Sequence, residues 1–123
     1  MTLLLDTNVF LWWVEDSSRL GAGARGAIVT NDVVVSAATG WEIATKRGLG
    51  RLRFDGDIVD HVGRNGFRTL DISLVHAVEA GALPFHHRDP FDRILIAQAR
   101  LENLIVMTSD SVFGRYEVPL LPV

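Results

Sequence analysis

Residues 2–14 read Thr2-Leu3-Leu4-Leu5-Asp6-Thr7-Asn8-Val9-Phe10-Leu11-Trp12-Trp13-Val14, and the way this stretch is punctuated decides the fold. Three consecutive leucines after a threonine suit a short strand buried on both faces. Asp6 ends that run at the carboxyl end of the strand, in the place of an N-cap for a helix over Thr7–Val14. The same kind of short apolar run recurs at Val33–Val35, Phe67–Leu70, Leu104–Thr108 and Val118–Leu121. Between the runs lie helical patterns at Ala22–Thr30, Ala37–Arg47, Asp57–Arg64, Leu74–Ala82 and Pro90–Leu101, the second of them bracketed by Ser36 as cap and Gly48 as stop. Strands joined through helices need crossover connections, which give a parallel sheet with helices on both faces. The expectation is one α/β domain over 1–123, a three-layer α/β/α sandwich with a central, mostly parallel five-stranded sheet. In such sheets ligands collect outside the carboxyl ends of the strands.

Composition narrows the chemistry. The 123 residues are 48% hydrophobic, enough for a real core without a covalent staple. There is no cysteine, which removes disulfides, thiolate metal sites and cysteine nucleophiles and suits a cytoplasmic protein. No apolar run approaches the ~20 residues of a membrane span. Twelve Lys and Arg against fifteen Asp and Glu give a net charge of −3, which argues against a broad basic nucleic-acid face. If several acids are gathered as metal ligands, bound cations would leave the remaining surface close to neutral. Lys46 is the only lysine, so the cationic character is almost entirely arginine, the better bidentate partner for phosphate.

Each acid has an ordinary reading beside a chemical one. Asp6 and Asp110 both follow predicted strands, and either alone could be a helix cap. Together, at the carboxyl ends of neighbouring buried strands, they would repel unless a cation lay between them. Asp89-Pro90-Phe91-Asp92-Arg93 opens the longest amphipathic helix with Asp89 as cap and Pro90 at the first position. Asp92 then stands one turn inside the helix, as a structural or a functional acid. Glu42 has Lys46 four residues on, a pairing that would contribute only ~0.2–0.5 kcal/mol, while its neighbours Trp41 and Ile43 speak against a purely solvent-facing glutamate.

Taken together these pieces resemble a known family. Leu4-Leu5-Asp6-Thr7-Asn8 with Phe10-Leu11-Trp12-Trp13, Val35-Ser36-Ala37-Ala38 leading to Trp41-Glu42-Ile43, Leu83-Pro84 with His86-His87-Arg88-Asp89-Pro90-Phe91-Asp92-Arg93, and Thr108-Ser109-Asp110 with Phe113 and Tyr116 are similar to PIN-domain ribonucleases of the VapC toxin type. The matches run from residue 3 to the C-terminus. The resemblance implies a PIN-like fold and metal-binding, catalytic acids at Asp6, Glu42, Asp92 and Asp110. It implies a supporting shell at Thr7, Asn8, Thr108 and Ser109, with Asp89 beside the site. It further implies Mg²⁺ or Mn²⁺ as cofactor, hydrolysis of single-stranded or looped RNA, a cognate antitoxin as partner and a homodimer. The family usually has a more helix-favouring pair where Thr39-Gly40 stands, and glycine in a helix interior costs ~1 kcal/mol.

Four arginines are candidate RNA contacts: Arg47, Arg51 and Arg53 in the densest basic run, which as readily makes a solvated turn, and Arg93, which could instead orient a carboxylate. His86 and His87 precede the Pro90 helix and have no partner at metal-ligand spacing, so a loop or substrate-contact role is expected. His76 reads as a packed structural residue. The all-round apolar Val9–Val14 helix, with Trp12 and Trp13 side by side, must meet either a neighbouring helix or a docked partner. Rival readings fit less well. A phosphoacceptor receiver needs a lysine after a late strand, and Asn8 stands where phosphohydrolases with an aspartate nucleophile place a second Asp. A PIN-fold module that binds RNA or protein without cutting is the remaining alternative.

Overall fold

Leu3, Leu4 and Leu5 have no exposed surface at all, as expected of a strand hydrogen-bonded on both edges and covered on both faces. In the computed structural model, which describes residues 1–123, they form β1 (Thr2–Leu5). The chain continues through α1 (Thr7–Val14), α2 (Ala22–Thr30), β2 (Asp32–Ser36), α3 (Ala37–Gly48), α4 (Ile58–Arg64), β3 (Arg68–Leu70), α5 (Leu74–Ala82), α6 (Pro90–Glu102), β4 (Ile105–Thr108) and β5 (Leu120–Pro122). A 3₁₀ turn spans Ser111–Arg115. The sheet order is β3-β2-β1-β4-β5 and every pairing is parallel, so no antiparallel edge strand qualifies the expected architecture.

Alternation along the strands divides the core in two. Leu3, Leu5, Val33, Val35 and Met107 point to one face, where Val9, Phe10, Ile28 and Val62 from α1, α2 and α4 cover them. Leu4, Val34 and Val106 point to the other, under Ala80, Leu95, Ile96 and Ala99 of α5 and α6. Helix α3 serves both, through Ile43 and Ala38. Helix starts are set by local chemistry: Ser36, Asp57 and Ser73 each accept a backbone N–H of the helix they open. Ser73 and His76 complete a capping box, and the His76 ring, buried, hydrogen-bonds Glu102, in keeping with a structural histidine. At the other end of α6, Asn103 adopts the left-handed conformation (φ 54°) that closes the helix.

The strand order places β2 and β3 on one side of β1 and β4 and β5 on the other. The chain thus reverses its direction of winding between β1 and β4. That reversal opens a crevice at the carboxyl ends of these two strands. Asp6 follows β1 and Asp110 lies just after β4, so both acids stand at its rim.

Candidate active site

Asp6 leads into α1 but makes no side-chain capping bond to it. Its carboxylate is buried and instead accepts the Thr108 hydroxyl at 2.7 Å. Thr108 in turn accepts the Asp110 N–H at 3.0 Å, so one hydroxyl ties together the ends of the two central strands. Burial raises the pKa of Asp6 above the usual carboxylate range. The Thr108 hydrogen bond opposes that shift, and the charges of Glu42 and Asp110 add to it. Asp110 also caps the 3₁₀ turn through Val112 N–H at 2.9 Å, with its second oxygen turned to His87 Nε2 at 3.0 Å. The capping role expected of Asp110 is thus present, and its other oxygen stays available to a neighbouring side chain.

Asp92 comes in from the opposite face on the first turn of α6. The turn itself is built by Asp89, whose Oδ1 accepts Phe91 N–H at 2.9 Å and Asp92 N–H at 3.3 Å. Asp92 is mostly buried, and burial, followed by the charges of Asp6, Asp89, Glu42 and Asp110, pushes its pKa up to about 8. Four carboxylates thus act on a fifth through space. Against Asp92 and Asp110 lies His87, whose Nε2 is 3.0 Å from Oδ2 of each.

His87 is the principal residue that sequence reasoning missed. Its place in a loop is as expected; its convergence with two site acids is not. Two other residues hold it there. The Tyr116 hydroxyl accepts His87 N–H at 2.8 Å and donates to Pro84 O at 2.6 Å. Arg93 donates to the carbonyls of His87, Pro84, Leu83 and Ala80 at 2.7–3.0 Å and lies over the Phe85 ring. The expectation that Arg93 contacts RNA is therefore corrected. Its guanidinium is buried and spent on the α5–α6 loop, because a turn that leaves so many carbonyls without partners needs a donor of that reach.

Glu42 completes the cluster from α3, which runs unbroken through Thr39 and Gly40. The i,i+4 partner is present, with Lys46 Nζ 2.5 Å from Glu42 Oε2, yet the glutamate side chain is only 8% exposed. The ion pair with Lys46 and the burial that the apolar neighbours imply are both present. The hydrogen bond to Glu42 and the charges of Glu42, Asp89 and Asp92 raise the pKa of Lys46, which stands beside the cluster as its one ammonium. Glu42 Oε1 is buried and has no hydrogen-bond partner. Thr7 and Thr39 meet hydroxyl to hydroxyl at 3.0 Å and tie α1 to α3 beneath the site, whereas Asn8 and Ser109 are exposed.

A divalent cation fits this donor set. The carboxylates supply hard oxygen ligands, Glu42 Oε1 is an acceptor without a donor, and ligand atoms of His87, Asp92 and Asp110 lie within 4.8 Å of one another. The largest cavity, about 380 Å³, is apolar, lies between α4 and the β2–β3 edge, and includes none of these acids. A second cavity of about 330 Å³ is bordered by Thr108, Ser109, Asp110 and Ser111 and adjoins the cluster. Of the basic run, Arg47 bonds the carbonyls of Phe54 and Gly56, Arg53 pairs with Asp55 and Arg51 is exposed. Trp13 is tucked against Phe67 with its indole N–H on Asn65, and Trp12 lies under Arg19, so the Val9–Val14 helix packs within its own chain.

Comparison with known proteins gives a family and a fold. Residues 3–119 match the model of the PIN domain. The chain is 31% identical over 113 residues to Ribonuclease VapC22 of Mycobacterium tuberculosis, covering 89% of this chain and 87% of that protein. Among solved structures, VapBC2 from Rickettsia felis bound to a DNA fragment from their promoter superposes with a TM-score of 0.73 at 15% identity, covering 99% of this chain and 98% of that one. DNA-bound VapBC from Salmonella typhimurium superposes with a TM-score of 0.71 at 18% identity over the same shares. At such identities the superpositions speak for the fold.

Proposed function

The chain belongs to the PIN-domain family, and on that premise we propose that it is a Mg²⁺- or Mn²⁺-dependent endoribonuclease acting as the toxin of a toxin–antitoxin pair. The observation that carries this reading is the convergence of Asp6, Glu42, Asp92 and Asp110, with raised pKa values at Asp6 and Asp92 and an unpartnered buried oxygen on Glu42. Acids pressed together in this way are what a hard cation stabilises. The similarity to a protein named a ribonuclease supports the same chemistry.

Asp6, Asp92 and Asp110 would hold the ion, with Glu42 holding a second ion or a water. When bound, such a cation supplies hydroxide from water near neutral pH and neutralises charge on a phosphodiester. The chain's own residues do the rest. Thr108 fixes one carboxylate oxygen of Asp6. Asp89 shapes the first turn of α6 and so aims Asp92. Lys46 holds Glu42 Oε2 and leaves Oε1 available. A catalytically silent module has no observation in its favour, since all four acids are present.

Partnership follows from the same reading. The structural neighbours named above include VapBC complexes, which supports a cognate antitoxin here. No helix is long and apolar enough to cross a membrane. An apolar surface open to a second subunit lies on α5, where Leu74, Val75 and Val78 are 80%, 63% and 66% exposed. The test of activity is direct: wild-type protein in Mn²⁺ cleaves a mixed RNA pool, chelator stops it, and Asp92→Asn is inactive while still folded. Wild-type cleavage rates in the Asp92→Asn protein would sink the assignment.

A further inference from the structure

His87 invites a ligand role, since its Nε2 and one oxygen each of Asp92 and Asp110 are spaced as cation ligands are. The hydrogen-bond pattern of its ring points elsewhere. Nδ1 accepts the Asp89 N–H at 3.2 Å, so the ring proton is on Nε2, and Nε2–H donates to Asp110 Oδ2 at 3.0 Å. Ligation through Nε2 would move that proton to Nδ1, where it would face the Asp89 N–H, donor against donor. Asp89 has no freedom to turn away, because its carboxylate caps α6. The ring is only 14% exposed and stands edge-on to Phe113, and its backbone is held by Tyr116 and Arg93.

Resting on the nuclease reading above, we propose that His87 is a catalytic hydrogen-bond donor to the scissile phosphate and not a metal ligand. When Asp92 and Asp110 turn their oxygens to a cation, Nε2–H loses its acceptor within the chain. It remains fixed at the mouth of the site, where the anionic oxygen of a phosphodiester is the acceptor that matches it. The proton stays on Nε2 throughout; the contribution is a preorganised donor to charge that grows on the phosphate oxygens, an effect for which loss of one donor lowers kcat by roughly 10²–10³-fold.

The experiment compares wild type, His87→Ala and His87→Gln in the full chain, since glutamine carries an amide N–H close to the Nε2 position. Mn²⁺ titration calorimetry is expected to show His87→Ala binding the ion as tightly as wild type or more tightly, while kcat on an RNA oligonucleotide falls at least ~100-fold with KM nearly unchanged and His87→Gln regains at least tenfold. Long-range ¹H–¹⁵N spectra of the Mg²⁺-loaded wild type are expected to show the His87 proton still on Nε2. A tenfold or greater loss of Mn²⁺ affinity in His87→Ala, a deprotonated Nε2 in the loaded protein, wild-type kcat in His87→Ala, or no recovery with glutamine each overturns the proposal. If wild type binds Mn²⁺ but cuts no RNA, the nuclease reading fails by itself, and the calorimetric and spectroscopic arms still decide whether His87 is a ligand. Should His87→Ala not fold, the spectra and His87→Gln carry the decision.

Discussion

Replacing Asp92 by asparagine should make the metal-free protein more stable at neutral pH, and the size of the gain follows from the site. The folded-state pKa of Asp92 is about 8, pushed up by burial and then by four neighbouring acids. In the unfolded chain an aspartate titrates near ~3.9. A carboxyl that holds its proton better when folded stabilises the fold fully below the unfolded value. That contribution is lost as pH rises through the folded one. At about 1.4 kcal/mol per unit, the loss accumulated by pH 7 approaches ~4 kcal/mol, and relaxation of the site brings the expectation to roughly 2–4 kcal/mol. Against a domain stability of about 5–15 kcal/mol this is a large fraction.

Asparagine is isosteric and never charges, so it escapes the loss. In chelator at pH 7 the Asp92→Asn protein is expected to melt about 8–15 °C above wild type, at about 4 °C per kcal/mol for a chain of this size. The gap should close towards pH 4, where wild-type Asp92 is protonated in the folded protein and takes up its proton in the unfolded chain as well. Saturating Mn²⁺ should narrow it at pH 7 too, because a hundredfold excess over Kd stabilises wild type by ~2.7 kcal/mol. Differential scanning fluorimetry of both proteins across pH 4–8, with and without metal, reads all three effects. A mutant that melts at or below wild type in chelator at pH 7, or a gap that does not shrink on acidification, refutes the reasoning.

Four further outcomes follow from particular contacts. Mn²⁺ affinity should rise about tenfold per pH unit below pH 8, since Asp92 must release its proton to act as a ligand; calorimetry in buffers of different ionisation enthalpy measures the proton set free. Thr108→Val removes the hydroxyl between Asp6 and the Asp110 N–H, and should cost about 1–3 kcal/mol in a denaturant melt and weaken Mn²⁺ binding. Gly40→Ala should stabilise by roughly 0.4–1 kcal/mol at unchanged activity, because a Cβ there meets nothing within 4 Å. Val75→Glu with Val78→Glu should shift the sedimentation coefficient from dimer to monomer if α5 is the face shared by two copies.

The parts of the site legible in the sequence are those placed by topology. Asp6 and Asp110 follow apolar runs that had to be neighbouring strands, and Asp92 follows a cap and a proline that set the start of α6. What stayed hidden depends on contacts across the chain. The position of His87 is dictated by Tyr116 and Arg93, and the Tyr116 hydroxyl reaches Pro84 from 32 residues away. The Arg93 side chain carries a charge that suits phosphate equally well, and nothing local reveals that the loop before α6 would leave carbonyls for it to satisfy. Trp12 and Trp13 were ambiguous for a related reason. An apolar surface records that something must cover it, whereas the identity of the cover, here Phe67 and Asn65 over Trp13, is set by where the turn after α4 lands.

The acids are also less alone than their number suggests, and this bears on how the chain folds before a cation arrives. Thr108 donates to Asp6, His87 donates to Asp110 and touches Asp92, and Lys46 pairs with Glu42. The three side chains that meet the acids come from β4, the loop before α6 and α3, and Asp110 accepts the Val112 N–H besides. They are not equivalent. Thr108 is an uncharged donor, which orders the Asp6 carboxylate without cancelling its charge, and the repulsion at Asp92 persists, so a cation is still favoured there. Lys46 does cancel a charge, and does so at Glu42 on α3. The cluster is therefore held in shape while keeping its demand for positive charge concentrated at Asp6, Asp92 and Asp110, the three acids at the switch point of the sheet.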